Sequence, residues 1–250
     1  MKKNLIRILL VVALLMVVGV AVVFIYLDAI AKKGFETVGP QLTKVEMKLG
    51  GAKISPFSGK GQLKDIFIGN PANYKTAGAI KVGEVRLALN PKSVLGKTVE
   101  IQEIAIINPE ITYEGGLTGS NLKDILKNVE AFAGAESAAG NSGAKSSKQV
   151  MVKDLLVTGG RITVALSLLG GKPLIVPLPE IHLSDIGTKE GGVSIAELTK
   201  QLMNAILTST TKVVTEAVSG VGKGVKEVGS GAADSVDKAA KGLKGLFKKN

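Results

Sequence analysis

The chain opens on an unbroken apolar run: over residues 8–27 nothing carries a charge, and nearly every residue is Leu, Val, Ile, Ala or Phe. Wound as a helix at about 1.5 Å per residue, the run is roughly 30 Å long, the thickness of a bilayer's hydrocarbon core. Its Leu, Ile, Val and Phe side chains together favour insertion by about 5 to 9 kcal/mol. A transmembrane helix over 8–27 is therefore predicted, behind a short N-terminus at 1–7. Ala29-Ile30-Ala31 resembles a signal-cleavage site, so removal after Ala31 is the competing expectation. A signal's apolar region, however, is usually only about 7–15 residues long.

After a charged stalk at 28–43 the period drops to two. Residues 44–49 alternate polar and apolar, and further strand-like runs occupy 62–68, 80–89, 99–107 and 111–113. Three of them end in Asn-Pro, at Asn70-Pro71, Asn90-Pro91 and Asn108-Pro109. Proline cannot donate to a ladder and Asn readily forms side-chain turns, so the dipeptide punctuates an antiparallel meander. Within two strands the apolar face changes midway. Ile80 and Val82 give way to Val85, Leu87 and Leu89; Val99 and Ile101 give way to Ile104 and Ile106. A bulge near Gly83 and Gln102 accounts for this, as does burial of both faces.

The helical period appears at 121–132, where Leu122, Ile125, Leu126, Val129 and Phe132 share a face behind Asn121 as N-cap. The first sheet unit with its helix is thus 44–133, and the Gly, Ala, Ser and Lys of 134–149 read as a flexible linker. A second unit, 150–193, holds a strand at 150–157 and another at 161–168 with Ile162, Val164, Leu166 and Leu168 on one face. Gly170-Gly171 suits a hairpin, and 173–186 returns as a proline-rich edge strand. Ser194-x-x-Glu197 is a capping box that opens a helix over 194–212. In the tail, 213–250, Val214, Val218, Val221, Val225 and Val228 begin an apolar stripe that continues to Leu246 and Phe247. Lys223, Lys226, Lys238, Lys241, Lys244, Lys248 and Lys249 fall mainly off it, as in a helix lying in a headgroup layer. The glycines after Ser219 argue instead for a tail frayed in water. The fold class expected is mainly β with α: one N-terminal transmembrane helix, an antiparallel curved sheet or groove under two helices, and an amphipathic tail.

Charge refines the picture. The net charge is +11, and Lys2, Lys3 and Arg7 precede the apolar run, which predicts the N-terminus inside and the bulk of the chain outside. A basic chain meets nucleic acid or anionic lipid; with aromatics at 4% there is little to stack on bases, so lipid is favoured and no nucleic acid is expected. Zero cysteines exclude a disulfide framework and a thiolate zinc site. His182, the one histidine, has Asp185 nearby but no converging set of polar groups, and no glycine pair carries a phosphate-loop pattern. Neither an enzyme nor a cofactor nor a metal is expected. What the strands do offer is apolar surface. The residues expected to line a lipid groove are Ile66, Ile68, Val85, Leu87, Leu89, Ile104, Ile106, Ile162, Val164 and Leu166. The alternative is a non-enzymatic structural or stress-related envelope scaffold whose core is closed and holds no lipid ligand.

A run of motifs carries a family resemblance: Ser55-Pro56-Phe57-Ser58-Gly59, Leu63-Lys64-Asp65-Ile66 with Ile68 and Asn70-Pro71, and Val82-Gly83-Glu84-Val85. Ser93-Val94-Leu95 follows, then Ile101 and Ile104 with Asn108-Pro109-Glu110-Ile111-Thr112-Tyr113-Glu114, Ser120-Asn121-Leu122, and Val176-Pro177-Leu178-Pro179-Glu180-Ile181. In this order they resemble the AsmA-like proteins of the Gram-negative envelope. The resemblance implies an inner-membrane protein with a periplasmic β-rich domain, linked to outer-membrane biogenesis and phospholipid movement. The partners expected are anionic bilayer lipids, from the basic charge and the tail lysines, and other envelope proteins. Large members build long apolar grooves, whereas eight strands spaced about 4.8 Å apart reach roughly 40 Å at most. A local lipid-binding, adaptor or regulatory role fits that size.

Overall fold

The computed structural model describes residues 2–115, 119–141, 148–166 and 173–226; side chains at 2–5, 13, 17, 18, 20–25, 139–141 and 220–226 lie outside that description. It is a mixed α/β protein built on one curved, open sheet of eight strands. The first helix, α1 (Lys2–Thr43), leads into β1 (Met47–Ser55), β2 (Lys60–Ile68), β3 (Ile80–Leu89) and β4 (Thr98–Gly115), with a 3-10 turn at Pro91–Leu95. Then come α2 (Asn121–Asn141), β5 (Gln149–Thr158), β6 (Arg161–Leu166), β7 (Leu174–Pro177), β8 (Ile181–Ile186) and α3 (Ile195–Lys226).

The antiparallel meander holds for β1 to β4, but the sheet is not antiparallel throughout: β5 and β6 both run parallel to β4. The helix α2 makes this possible, since it returns the chain to the start of β4 before β5 begins. Along β4, β5 and β6 keep a common offset, as do β7 and β8 along their partners. The eight strands therefore lie as six rows, the fifth broken at Gly159-Gly160 and the sixth at residues 178–180. The proline-rich run expected as one strand is thus two, and β7 does form an edge. Conversely, the two strands expected at 99–107 and 111–113 are one, because Asn108-Pro109 is absorbed inside β4.

Asn108 is accommodated by a left-handed backbone, φ 51°, which Asn tolerates better than most residues. Its neighbours across the sheet are equally irregular. Asp65 in β2 has φ 53°, and a Cβ on Gly50 of β1 would lie 2.7 Å from the Asp65 Cβ. A Cβ on Gly159, φ 68°, would lie 2.2 Å from Asn108 Oδ1. Together with Gly83 these residues form a transverse crease through the strands, at which the alternation of side chains changes phase. Ile80 and Val82 before it and Val85 after it are all buried in one core. The face change at Gly83 is therefore this crease, without a shift of register, whereas at Gln102 the β3/β4 register does slip.

Among the described residues, α2 and α3 pack on one face, and α1 lies along the β1 edge, where Phe35 touches the same core. Leu122, Ile125 and Leu126 of α2 and Met203, Ile206, Val214 and Val218 of α3 share a core with the inner side of the sheet. Leu42, Ala133 and Ala196 meet where α1, α2 and α3 converge. Three expected boundaries are corrected. The stalk 28–43 is helical and continuous with the preceding run, making α1 about 63 Å long. Residues 134–141 of the expected linker extend α2; 142–147 lie outside the described residues. The helix expected to stop at 212 continues to Lys226, and Val214 and Val218, read as the head of a surface tail, are core residues. Asn121 is not the N-cap of α2: Ser120 accepts from Lys123 N, and its carbonyl from Asp124 N.

Candidate functional site

The inner face of the sheet divides into a covered and a half-covered part. Beneath α2 and α3, Ile162, Val164 and Leu166 are buried, the first two completely, and Ile66, Val85 and Ile106 belong to the same closed core. Toward the end of the sheet bearing the β1–β2 turn, Ala52, Leu63, Leu87, Leu89, Ile101 and Ile104 are only half-buried. Ile68 is half-buried at the opposite end of β2. Of the ten residues expected to line a groove, six are thus in the core, and Leu87, Leu89 and Ile104 border the less covered strip.

At the same end of the sheet, between α1 and the ends of β1 to β3, lies an open cleft of about 670 Å³ that shares Leu87 with this strip but whose other strand residues, Lys53, Lys60, Gln62, Arg86, Ala88 and Glu103 among them, alternate mostly to the outer side. Ile54, Gly61, Leu87 and Ala88 contribute apolar surface, and Asp28, Lys53, Lys60, Arg86 and Glu103 contribute charge. Gly61 leaves room for the Leu87 side chain, which lies directly over it; a Cβ there would come within 2.8 Å of Leu87 Cδ1. On the rim, Glu84 accepts from Arg86 Nε and from Gln62 Nε2. The hydrogen bond from Arg86, then that from Gln62, holds the Glu84 carboxyl below its ordinary range.

Two acidic residues on α1 were not singled out by sequence pattern, and the structure gives them a definite task. Ile54 N donates to Asp28 Oδ1 at 2.8 Å, and Leu49 N donates to Glu36 Oε1 at 3.0 Å. They satisfy outward-facing amides of β1, the edge strand of the sheet. The spacing of eight between them is a helical spacing, legible only once 28–43 is read as helix.

The remaining candidates are placed as follows. His182 pairs with Asp154 across β5 and β8, not with Asp185, and both partners are exposed. Among the described residues no group of three or more His, Cys, Asp and Glu could hold a metal ion. Lys223 and Lys226 fall in the last turns of α3, their side chains outside the described residues. Lys238, Lys241, Lys244, Phe247, Lys248 and Lys249 lie outside the described residues altogether. Among the described residues no helix is long and apolar enough to cross a membrane; the uncharged run 8–27 includes side chains outside that set. Within α1, Ile8, Leu9, Leu10, Val11 and Val12 are consecutive and each more than half exposed, so among the described residues none covers any side of this stretch.

Comparison with known proteins finds no family model that matches the chain and no curated protein similar to it.

Proposed function

We propose that the chain is a single-pass protein of the bacterial inner membrane, N-terminus in, whose sheet stands in the periplasm and binds lipid acyl chains at its half-covered inner face. In this reading it belongs with the AsmA-like proteins it resembles and serves lipid homeostasis of the envelope without catalysis. The membrane assignment is supported by the uncharged run over 8–27 and by the all-round exposure of Ile8 to Val12, an arrangement water disfavours. The lipid assignment is supported by one observation: the inner strip with Leu87, Leu89 and Ile104 is only half-buried, and Leu87 also lines an open cleft of about 670 Å³, within the size range of ligand pockets.

The test is native mass spectrometry of the full chain extracted in mild detergent. The wild type is expected to carry copurified phospholipid, and Leu87→Asp to lose it while its circular dichroism is unchanged. A lipid-free wild type removes the reading. In that event the second reading stands, an anchored envelope scaffold without ligand, which the burial of Ile162, Val164, Leu166, Ile66, Val85 and Ile106 favours.

A further inference from the structure

The direction in which α1 leaves the sheet fixes which end of the sheet meets the bilayer. Thr43 turns through Lys44 into β1, Glu36 stands at Leu49, and Asp28 at Ile54, so α1 runs antiparallel to β1. Continued toward its N-terminus, it passes the β1–β2 turn, and the uncharged run projects beyond that end.

The same end gathers four connections. Leu89 N donates to Gly59 O at 2.9 Å, joining the β1–β2 turn to the β3–β4 connection. Gln149 N donates to Lys97 O at 3.1 Å, and Lys148 Nζ to Val94 O, bringing in the start of β5. Thr98 Oγ1 donates to Gly191 O at 2.8 Å, adding the turn before α3.

The surface these connections present is unusual. Among the described residues outside α1, the exposed large apolar side chains are Phe57 (85% exposed), Val94 (38%), Leu95 (93%), Ile175 (64%) and Ile195 (53%). All but Ile175 belong to this end or directly follow its turns. Lys60, Lys92, Lys97, Lys148 and Lys189 are exposed around them, against Glu190 in the same turns. Apolar tips ringed by lysines suit an anionic headgroup layer, the apolar groups entering the acyl boundary and the ammonium groups staying with phosphates. Tyr26 on α1, one turn inside Ile30, is the aromatic expected at the same level.

From this we infer that the end of the sheet bearing the β1–β2 turn and the Pro91–Leu95 turn seats on the bilayer that α1 enters, with Phe57 and Leu95 inserted and the surrounding lysines on anionic lipid. The inference rests on α1 as the anchor and deepens that reading: the cleft beside Asp28 then opens at the membrane surface, where an acyl chain enters without crossing water.

The chain contains no tryptophan, so a single introduced one reports alone. The full-length protein is reconstituted in phosphatidylethanolamine and phosphatidylglycerol vesicles containing brominated phosphatidylcholine as quencher. Leu95→Trp and Phe57→Trp are expected to lose fluorescence, while Ile175→Trp, exposed on the far half of the sheet, keeps it. Met16→Trp tests the anchor separately: its quenching without quenching at positions 57 and 95 overturns the seating alone, and no quenching at position 16 overturns the anchor. Lys60→Glu, Lys92→Glu and Lys97→Glu combined in the Leu95→Trp chain are expected to restore its fluorescence. Quenching unchanged by those substitutions overturns the role of anionic lipid.

Discussion

The three asparagines of the Asn-Pro dipeptides do three different things. Asn90 caps the 3-10 turn, accepting from Lys92 N at 3.1 Å, and its amide reaches Glu100. Asn108 takes the left-handed position in the crease. Asn70 holds the β2–β3 loop, donating to Thr76, and accepts at 2.8 Å from Asn121. Asn121 is fully buried and saturated: its amide also donates to Thr112 O at 2.8 Å, and its oxygen accepts from Glu114 N at 3.0 Å and Leu122 N at 2.9 Å. Removing it strands donors and acceptors that water does not reach, so Asn121→Ala is expected to cost about 3 kcal/mol. In urea the midpoint of the full chain in detergent should fall by about 1 to 2 M. A midpoint unchanged from wild type would mean the network relaxes around the gap.

At the scale of elements, the least expected result is that α1 is both lead-in and edge guard. An edge strand is a template for further pairing, and natural sheets cover or charge such edges. Here a helix does so with two carboxylates aimed at Leu49 N and Ile54 N. In a chain carrying Asp28→Ala and Glu36→Ala, exchange of those two amides is expected to speed up about tenfold, since a hydrogen bond to a charged acceptor contributes about 1.5 kcal/mol or more. Amides in the central strand β4 should exchange as before. Equal acceleration at both places would show global loosening and dismiss the edge-guard role.

Over the whole molecule the sheet is two-faced. The inner side carries the core with α2 and α3, while α1 runs along the β1 edge; the outer side carries the pairs Arg86 with Glu84, Arg161 with Glu110, and His182 with Asp154. Three carboxylates held below their ordinary value of 4.5 are expected to set its acid limit. Burial alone raises Glu114, but hydrogen bonds from Thr76 Oγ1, Lys75 N and Thr76 N outweigh it; burial also raises Glu197, and Lys200 and Gln201 outweigh that. With Glu84 lowered by Arg86 and Gln62, all three carboxyls bind fewer protons folded than unfolded at acid pH. Their contribution is therefore complete above pH 4.5 and lost as the pH falls through their folded values. Thermal melts from pH 7 downward should hold their midpoint until about that point and then drop. Glu114→Gln should melt lower at neutral pH and lose less on acidification; an equal loss would assign the acid limit elsewhere.

Much of this was legible in the chain because it is local. An uncharged run, a period of two, a capping box and a phase change inside 80–89 are properties of neighbouring residues, and they place the strands, α2 and the start of α3. The crease was visible in β3 alone, as a change of face at Gly83. What the sequence could not hold is which surfaces meet. That β5 and β6 run parallel to β4, that Val214 and Val218 are core, and that Ile162 and Val164 are covered while Leu87 is half open all depend on where helices settle across the sheet. Burial of an apolar face is non-directional: periodicity says that a face is apolar, and only contacts between segments distant along the chain decide what covers it.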